Sequence, residues 1–147
     1  MNKEEMIEAI EHAREAHREQ IEKVVSLMEG KHVDKLTPIS KKKCEFGHWL
    51  YGDEERMKKI LGVQFYENLD SIHESWHVVY AKIHAIFIAE EEGGFFSKIF
   101  NRHKISPLEY EKAKVYYKDL EDVTNNLLRL LDASQRRVQA LSESKFA

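Results

Sequence analysis

The residues of this 147-residue chain with the most distinctive chemistry are eight histidines and a single cysteine, Cys44. One thiol cannot form an internal disulfide, so a thiol among several imidazoles points to metal. His73 and His77 lie four residues apart in a helical pattern, so both imidazoles leave one helix face and can reach a common ion. His17 falls in the apolar stripe of an earlier helix, and Cys44 opens the aromatic segment CEFGHWLYGD. Two donors from one helix, one from another and one from a connector can surround an ion tetrahedrally. Three neutral imidazoles and one thiolate suit Zn²⁺, whose structural sites use four N/S ligands with no open position, and leave one net positive charge. Taken singly, each donor has a plainer explanation. A histidine in an apolar stripe is usually a hydrogen-bonded core residue, and a buried cysteine a small hydrophobe. The argument for metal rests on the combination.

Long helices must position these donors. Asn2 and Glu5 have capping-box spacing, and Met6, Ile10, Ala13, His17, Ile21, Val24 and Met28 then recur every three or four residues up to Gly30. Residues 31–43 lose that period, and CEFGHWLYGD reads as a short packed turn. Asp53 can cap a brief helix that stops at Gly62. From about Gln64 to Glu92 a broad apolar face returns, carrying His73 and His77 inward, and Gly93-Gly94 ends it. The segment FFSKIFNRHK follows as a bridge, so residues 93–106 read as an inter-helix connector with a possible membrane or partner contact through its aromatics and basic residues. Ser106-Pro107-Leu108-Glu109 opens the last helix, whose stripe runs Ala113, Tyr116, Leu120, Val123, Leu127, Leu130, Ser134, Val138 and Leu141. The first and third helices should each be ~40 Å long and the last ~50 Å. The expected fold is all-α, an antiparallel four-helix-bundle type with three long helices and a short helix or turn carrying Cys44.

Composition excludes several functions. Lys and Arg number 23 against 26 Asp and Glu, for a net charge of −3, and there is no dense basic block of the kind that binds nucleic acid. The longest apolar stretch, Val78 to Ala89, is broken by Lys82 and His84 and is shorter than the ~20 residues of a membrane span. The charged start lacks the apolar core of a signal peptide, so a cytoplasmic location and one domain over residues 1–147 are expected.

His73-Glu74-Ser75-Trp76-His77 also spells the His-Glu-x-x-His motif of zinc metalloproteases, in which the glutamate is the general base. The extended form of that motif wants Gly and His at the positions held by Tyr80 and Ile83; His84 is one residue out of register. A di-iron carboxylate bundle would use Glu74 and His77, but the paired inward helical motifs it needs are missing. Haem ligation lacks an attachment motif. His84 reads as a core residue or a neighbour of the ligands, and His12, His32, His48 and His103 as surface residues.

The segment from Cys44 to Gly52 resembles the Cys-x-Phe-Gly-x-Trp signature of chemoreceptor zinc-binding (CZB) domains through Cys44, Phe46, Gly47 and Trp49. His17 lies 27 residues before Cys44 and His73 lies 29 after it, similar to that family's spacing; the resemblance covers about residues 10–135. It implies zinc ligation by His17, Cys44, His73 and His77, with Gly47 shaping a tight turn and Trp49 locking the cysteine loop against the helices. It further implies a homodimeric sensor of zinc or of oxidants such as hypochlorous acid, not an enzyme. Output would pass to a separate chemotaxis or diguanylate cyclase signalling protein, since the sequence carries no signalling hairpin or cyclase segment. A purely structural zinc scaffold is the alternative.

Overall fold

The structure, a computed structural model, describes residues 1–88 and 105–147. Its helices are α1 (Lys3–Met28), α2 (Glu45–Gly52), α3 (Glu54–Leu61), α4 (Val63–Phe87) and α5 (Pro107–Ala140), followed by a 3₁₀ turn at Glu143–Phe146. No strand occurs among the described residues, and none of their helices is long and apolar enough to cross a membrane.

The helix boundaries follow local chemistry. In α1 the Glu5 backbone N–H donates to Asn2 Oδ1 at 2.9 Å and the Asn2 N–H to Glu5 Oε2 at 2.7 Å, so two otherwise unpaired donors are satisfied reciprocally. At its end Gly30 takes φ +79°, which lets the Lys31 N–H reach Ser26 O and the Gly30 N–H reach Leu27 O, both at 3.0 Å. Asp53 caps α3, and Gly62, with φ +87°, separates it from α4. Ser106 and Glu109 form a second capping box around Pro107.

Three differences from the sequence-based expectations stand out. The segment after Cys44 is an eight-residue helix rather than a turn, with Cys44 as its N-cap. Helix α4 ends at Phe87; the expected run to Glu92, the Gly93-Gly94 stop and most of the 93–106 connector lie outside the described residues. The third concerns α5, whose buried stripe is Ala113, Leu120, Thr124, Leu127, Leu131, Ser134 and Val138, leaving the expected Tyr116, Val123, Leu130 and Leu141 only half-buried.

Thr124 takes a core position because Trp76 needs a partner. The indole of Trp76 is fully buried and donates from Nε1 to Thr124 Oγ1 at 2.8 Å, while the threonine hydroxyl donates to Leu120 O at 2.6 Å. A buried N–H left unpaired would cost about 1–3 kcal/mol. Trp76 belongs to one buried core with Ile10 and Val24 of α1, Leu69, Tyr80 and Ile83 of α4, and Leu127 of α5. Polar ties at the rim join α1 to the end of α5: Lys3 Nζ donates to Leu141 O at 2.9 Å, and Arg14 pairs with Asp132 at 2.7 Å.

Candidate metal centre

The stripe of α1 that buries Met6, Ile10 and Ala13 also buries His17, and the face of α4 that buries Leu69, Trp76 and Tyr80 also buries His73 and His77. The three imidazoles meet in the interior, with one ring nitrogen of each within 4.8 Å of the other two. His73 is the hub: its Nε2 lies 3.1 Å from His77 Nε2 and 3.3 Å from Cys44 Sγ. Metal–nitrogen and metal–sulfur bonds of ~2.0–2.1 and ~2.3 Å give tetrahedral edges of about 3.4 and 3.6 Å, close to these separations. The mutually close set consists of the three imidazoles, and Cys44 adjoins it through His73.

The opposite ring nitrogens are tied down. His17 Nδ1 is 2.7 Å from Ala13 O and His77 Nδ1 is 2.8 Å from Ile39 O. A carbonyl only accepts, so each Nδ1 carries the proton and each Nε2 presents a lone pair. His73 Nδ1 faces the Tyr51 hydroxyl at 3.2 Å. Such anchoring of the far nitrogen fixes ring orientation at metal sites. The three imidazoles therefore suit a metal ion by atom type and protonation, and Cys44 Sγ lies beside them against His73.

Electrostatics agree. Burial, opposed by the Ala13 carbonyl and reinforced by His77, lowers the His17 pKa to about 4. Burial likewise lowers His73, with His17, His77 and Lys41 adding to the effect, and it lowers His77 against the pull of the Ile39 and Pro38 carbonyls. The rings are thus held neutral, as metal ligands must be. Burial pushes the Cys44 thiol up, against the Gly47 and Phe46 backbone N–H groups, so without a cation the sulfur stays protonated near neutral pH.

Local folding explains how Cys44 is placed. As N-cap, its Sγ accepts from the Gly47 N–H at 3.2 Å and donates to Lys41 O at 3.3 Å. Gly47 is helical, so its role is close approach rather than the tight turn expected of it: a Cβ there would lie 1.8 Å from the Lys41 carbonyl oxygen. Phe46 touches the imidazoles, packing edge-on at 4.8 Å from His73 and 5.8 Å from His17. Trp49 stacks on Phe46 at 5.4 Å and supports it from outside, half-buried, with its indole N–H on Met1 Sδ. Trp76 packs edge-on against two of the imidazoles, its ring centre 4.9 Å from that of His17 and 5.0 Å from that of His77. The spacing of the donors does not reveal Phe46, Trp76 and Tyr51 as their neighbours; for Trp76 the available signal is its place beside His77 in the sequence.

The remaining candidates lie elsewhere. Glu74 of the His-Glu-x-x-His sequence is 60% exposed and reaches Lys41 Nζ at 3.4 Å. His84 packs on Tyr80 at 5.9 Å, outside the imidazole cluster. His12, His32 and His48 are exposed, and His103 lies outside the described residues.

Among known protein families, residues 17–84 fit the sequence model of a family described as the chemoreceptor zinc-binding domain. The matched span runs through His17, Cys44, His73 and His77. No curated protein and no solved structure matches the chain.

Proposed function

Residues 17–84 of the chain are a member of the chemoreceptor zinc-binding domain family, and on that premise we propose that the protein is a zinc-binding sensory module whose ligands are His17, Cys44, His73 and His77. The observation that carries this reading is the meeting of three buried imidazoles, two of them with Nδ1 tied to a backbone carbonyl. When bound, zinc supplies a cross-link between α1, the Cys44 loop and α4, and favours the thiolate of Cys44.

The chain's own residues define the response. Cys44 is the one donor of the four that common oxidants alter reversibly. Hypochlorous acid transfers its oxygen to the sulfur. The thiolate sulfur loses two electrons and, keeping the oxygen and proton of the acid, becomes a sulfenic acid, while the chlorine gains the electrons and leaves as chloride. The thiolate donor is then lost, which weakens the hold of His17, His73 and His77 on the ion and lets it leave. Loss of metal through zinc scarcity removes the same cross-link, so both inputs shift the packing of α1 against α4.

In this reading the chain is one domain over residues 1–147, a bundle of the antiparallel four-helix type with α2 and α3 at the fourth position. It acts in the cytoplasm as a homodimer and signals to a separate chemotaxis or diguanylate cyclase protein. It is not an enzyme: Glu74 pairs with Lys41 at the surface and is not turned toward the three imidazoles. A constitutive structural zinc site is the competing reading, and the response to oxidant together with zinc affinity separates the two.

The test is zinc content and zinc release for wild type, Cys44→Ser and His77→Ala. Wild type is expected to hold about one zinc per chain and to release it on stoichiometric hypochlorous acid. Cys44→Ser should hold zinc more weakly and lose the oxidant response, and His77→Ala should lose zinc while keeping a titratable thiol. Wild type that keeps its zinc and its helix packing under oxidant contradicts the redox input and leaves zinc availability as the input or a structural scaffold, which zinc affinity separates.

A further inference from the structure

We infer that Tyr51 and Asp70, braced by Lys41, are positioning residues that aim the His73 imidazole at the metal. The inference rests on the zinc reading above and extends it beyond the four donors. His17 and His77 are oriented by backbone carbonyls, which no substitution removes. His73 is oriented by a side chain: its Nδ1 is 3.2 Å from Tyr51 Oη, and the Tyr51 hydroxyl donates to Asp70 Oδ1 at 2.5 Å. With that hydroxyl proton committed to the carboxylate, the tyrosine oxygen is left to accept, so His73 Nδ1 donates and Nε2 is free for the ion.

Lys41 completes the chain and joins it to the cysteine loop. Its Nζ is 2.9 Å from the same Asp70 oxygen and 3.4 Å from Glu74, and it lies 5.3 Å from the centre of the Tyr51 ring. Its backbone carbonyl accepts from Cys44 Sγ and abuts Gly47. One residue thus braces the positioning of His73 and that of Cys44, the pair already in contact at 3.3 Å. Because His73 is the donor that touches both His77 and Cys44, a small rotation of its ring disturbs more of the donor geometry than the same rotation of either neighbour.

The tyrosine ring also lies nearly parallel to His73, at 28° and 6.1 Å between centres, so Tyr51→Phe removes the hydroxyl and keeps the packing. The experiment compares wild type, Tyr51→Phe and Asp70→Asn by competition for zinc with a chromogenic chelator. Exchange of the imidazole N–H protons is followed by paramagnetic NMR on the Co²⁺-substituted proteins. Tyr51→Phe is expected to bind zinc ~10–100-fold more weakly, the range for loss of a hydrogen-bond partner of a ligand. Of three slowly exchanging imidazole N–H signals in wild type, the one from His73 should exchange faster while those of His17 and His77 persist. Asp70→Asn should show the same selective change with a smaller loss of affinity, and it carries the test if Tyr51→Phe does not fold. Unchanged affinity with three slow N–H signals in the variants overturns the positioning role and leaves the zinc site intact. Wild type that takes up neither metal overturns both.

Discussion

Gly47→Ala is expected to destabilise the protein by about 3 kcal/mol or more and to strip most of its zinc. Intrinsic preference predicts the opposite, since alanine in a helix interior is favoured over glycine by about 1 kcal/mol. Packing decides the sign here. The new Cβ would lie 1.8 Å from the Lys41 carbonyl oxygen and 2.9 Å from its carbon, and both are backbone atoms that no rotamer change can move. Either α2 or the segment before it must retreat, and that segment carries the Lys41 carbonyl to which Cys44 donates. Gly52→Ala, in the same helix, is the control: nothing lies within 4 Å of its Cβ, so it should be neutral or slightly stabilising. Urea unfolding and zinc content of the two variants check this. Gly47→Ala as stable and as metal-rich as Gly52→Ala would refute the packing role assigned to Gly47.

Removing the metal is the second large effect. A ligand bound only by the folded state and present at ~1,000 times its dissociation constant stabilises by about 4 kcal/mol, which for a chain of this size is a fall in melting temperature of about 10 °C on chelation. The stripped protein should also be acid-sensitive. His17 has a folded pKa of about 4 against 6.5 unfolded, so the folded state resists protonation. Its contribution is complete above pH 6.5 and is lost as pH falls from there toward 4, because the unfolded chain binds the proton first. That contribution is on the order of 3 kcal/mol, and His73 and His77 act in the same direction. Unfolding of the chelated protein across pH 7.5 to 4.5 measures it; stability flat over that window would contradict the burial of neutral imidazoles.

Much of this arrangement was legible in the sequence for identifiable reasons. Capping boxes at Asn2 and Ser106 and helix stops at Gly30 and Gly62 are local codes, and each forms where its residues lie. His17, His73 and His77 were legible because a helical stripe fixes which face is inward, and the three rings do meet. The helical state of the residues after Cys44 was harder to read. Gly47 and Gly52 look like turn residues locally, whereas the need for Gly47 comes from Lys41, folded across it. Thr124 was missed because a period counts apolar residues, and its place in the core depends on an indole 48 positions away. The Tyr51–Asp70–Lys41 chain was missed for the same reason: hydrogen bonds between distant segments leave no period in the sequence.

The most direct test of the central claim is zinc K-edge X-ray absorption on the metal-bound protein, beside Cys44→Ser. The account predicts about three nitrogen scatterers at ~2.0–2.1 Å and one sulfur at ~2.3 Å in wild type, with the sulfur shell missing in the variant. A wild-type spectrum with only nitrogen and oxygen neighbours, or a sulfur shell that survives Cys44→Ser, would contradict it.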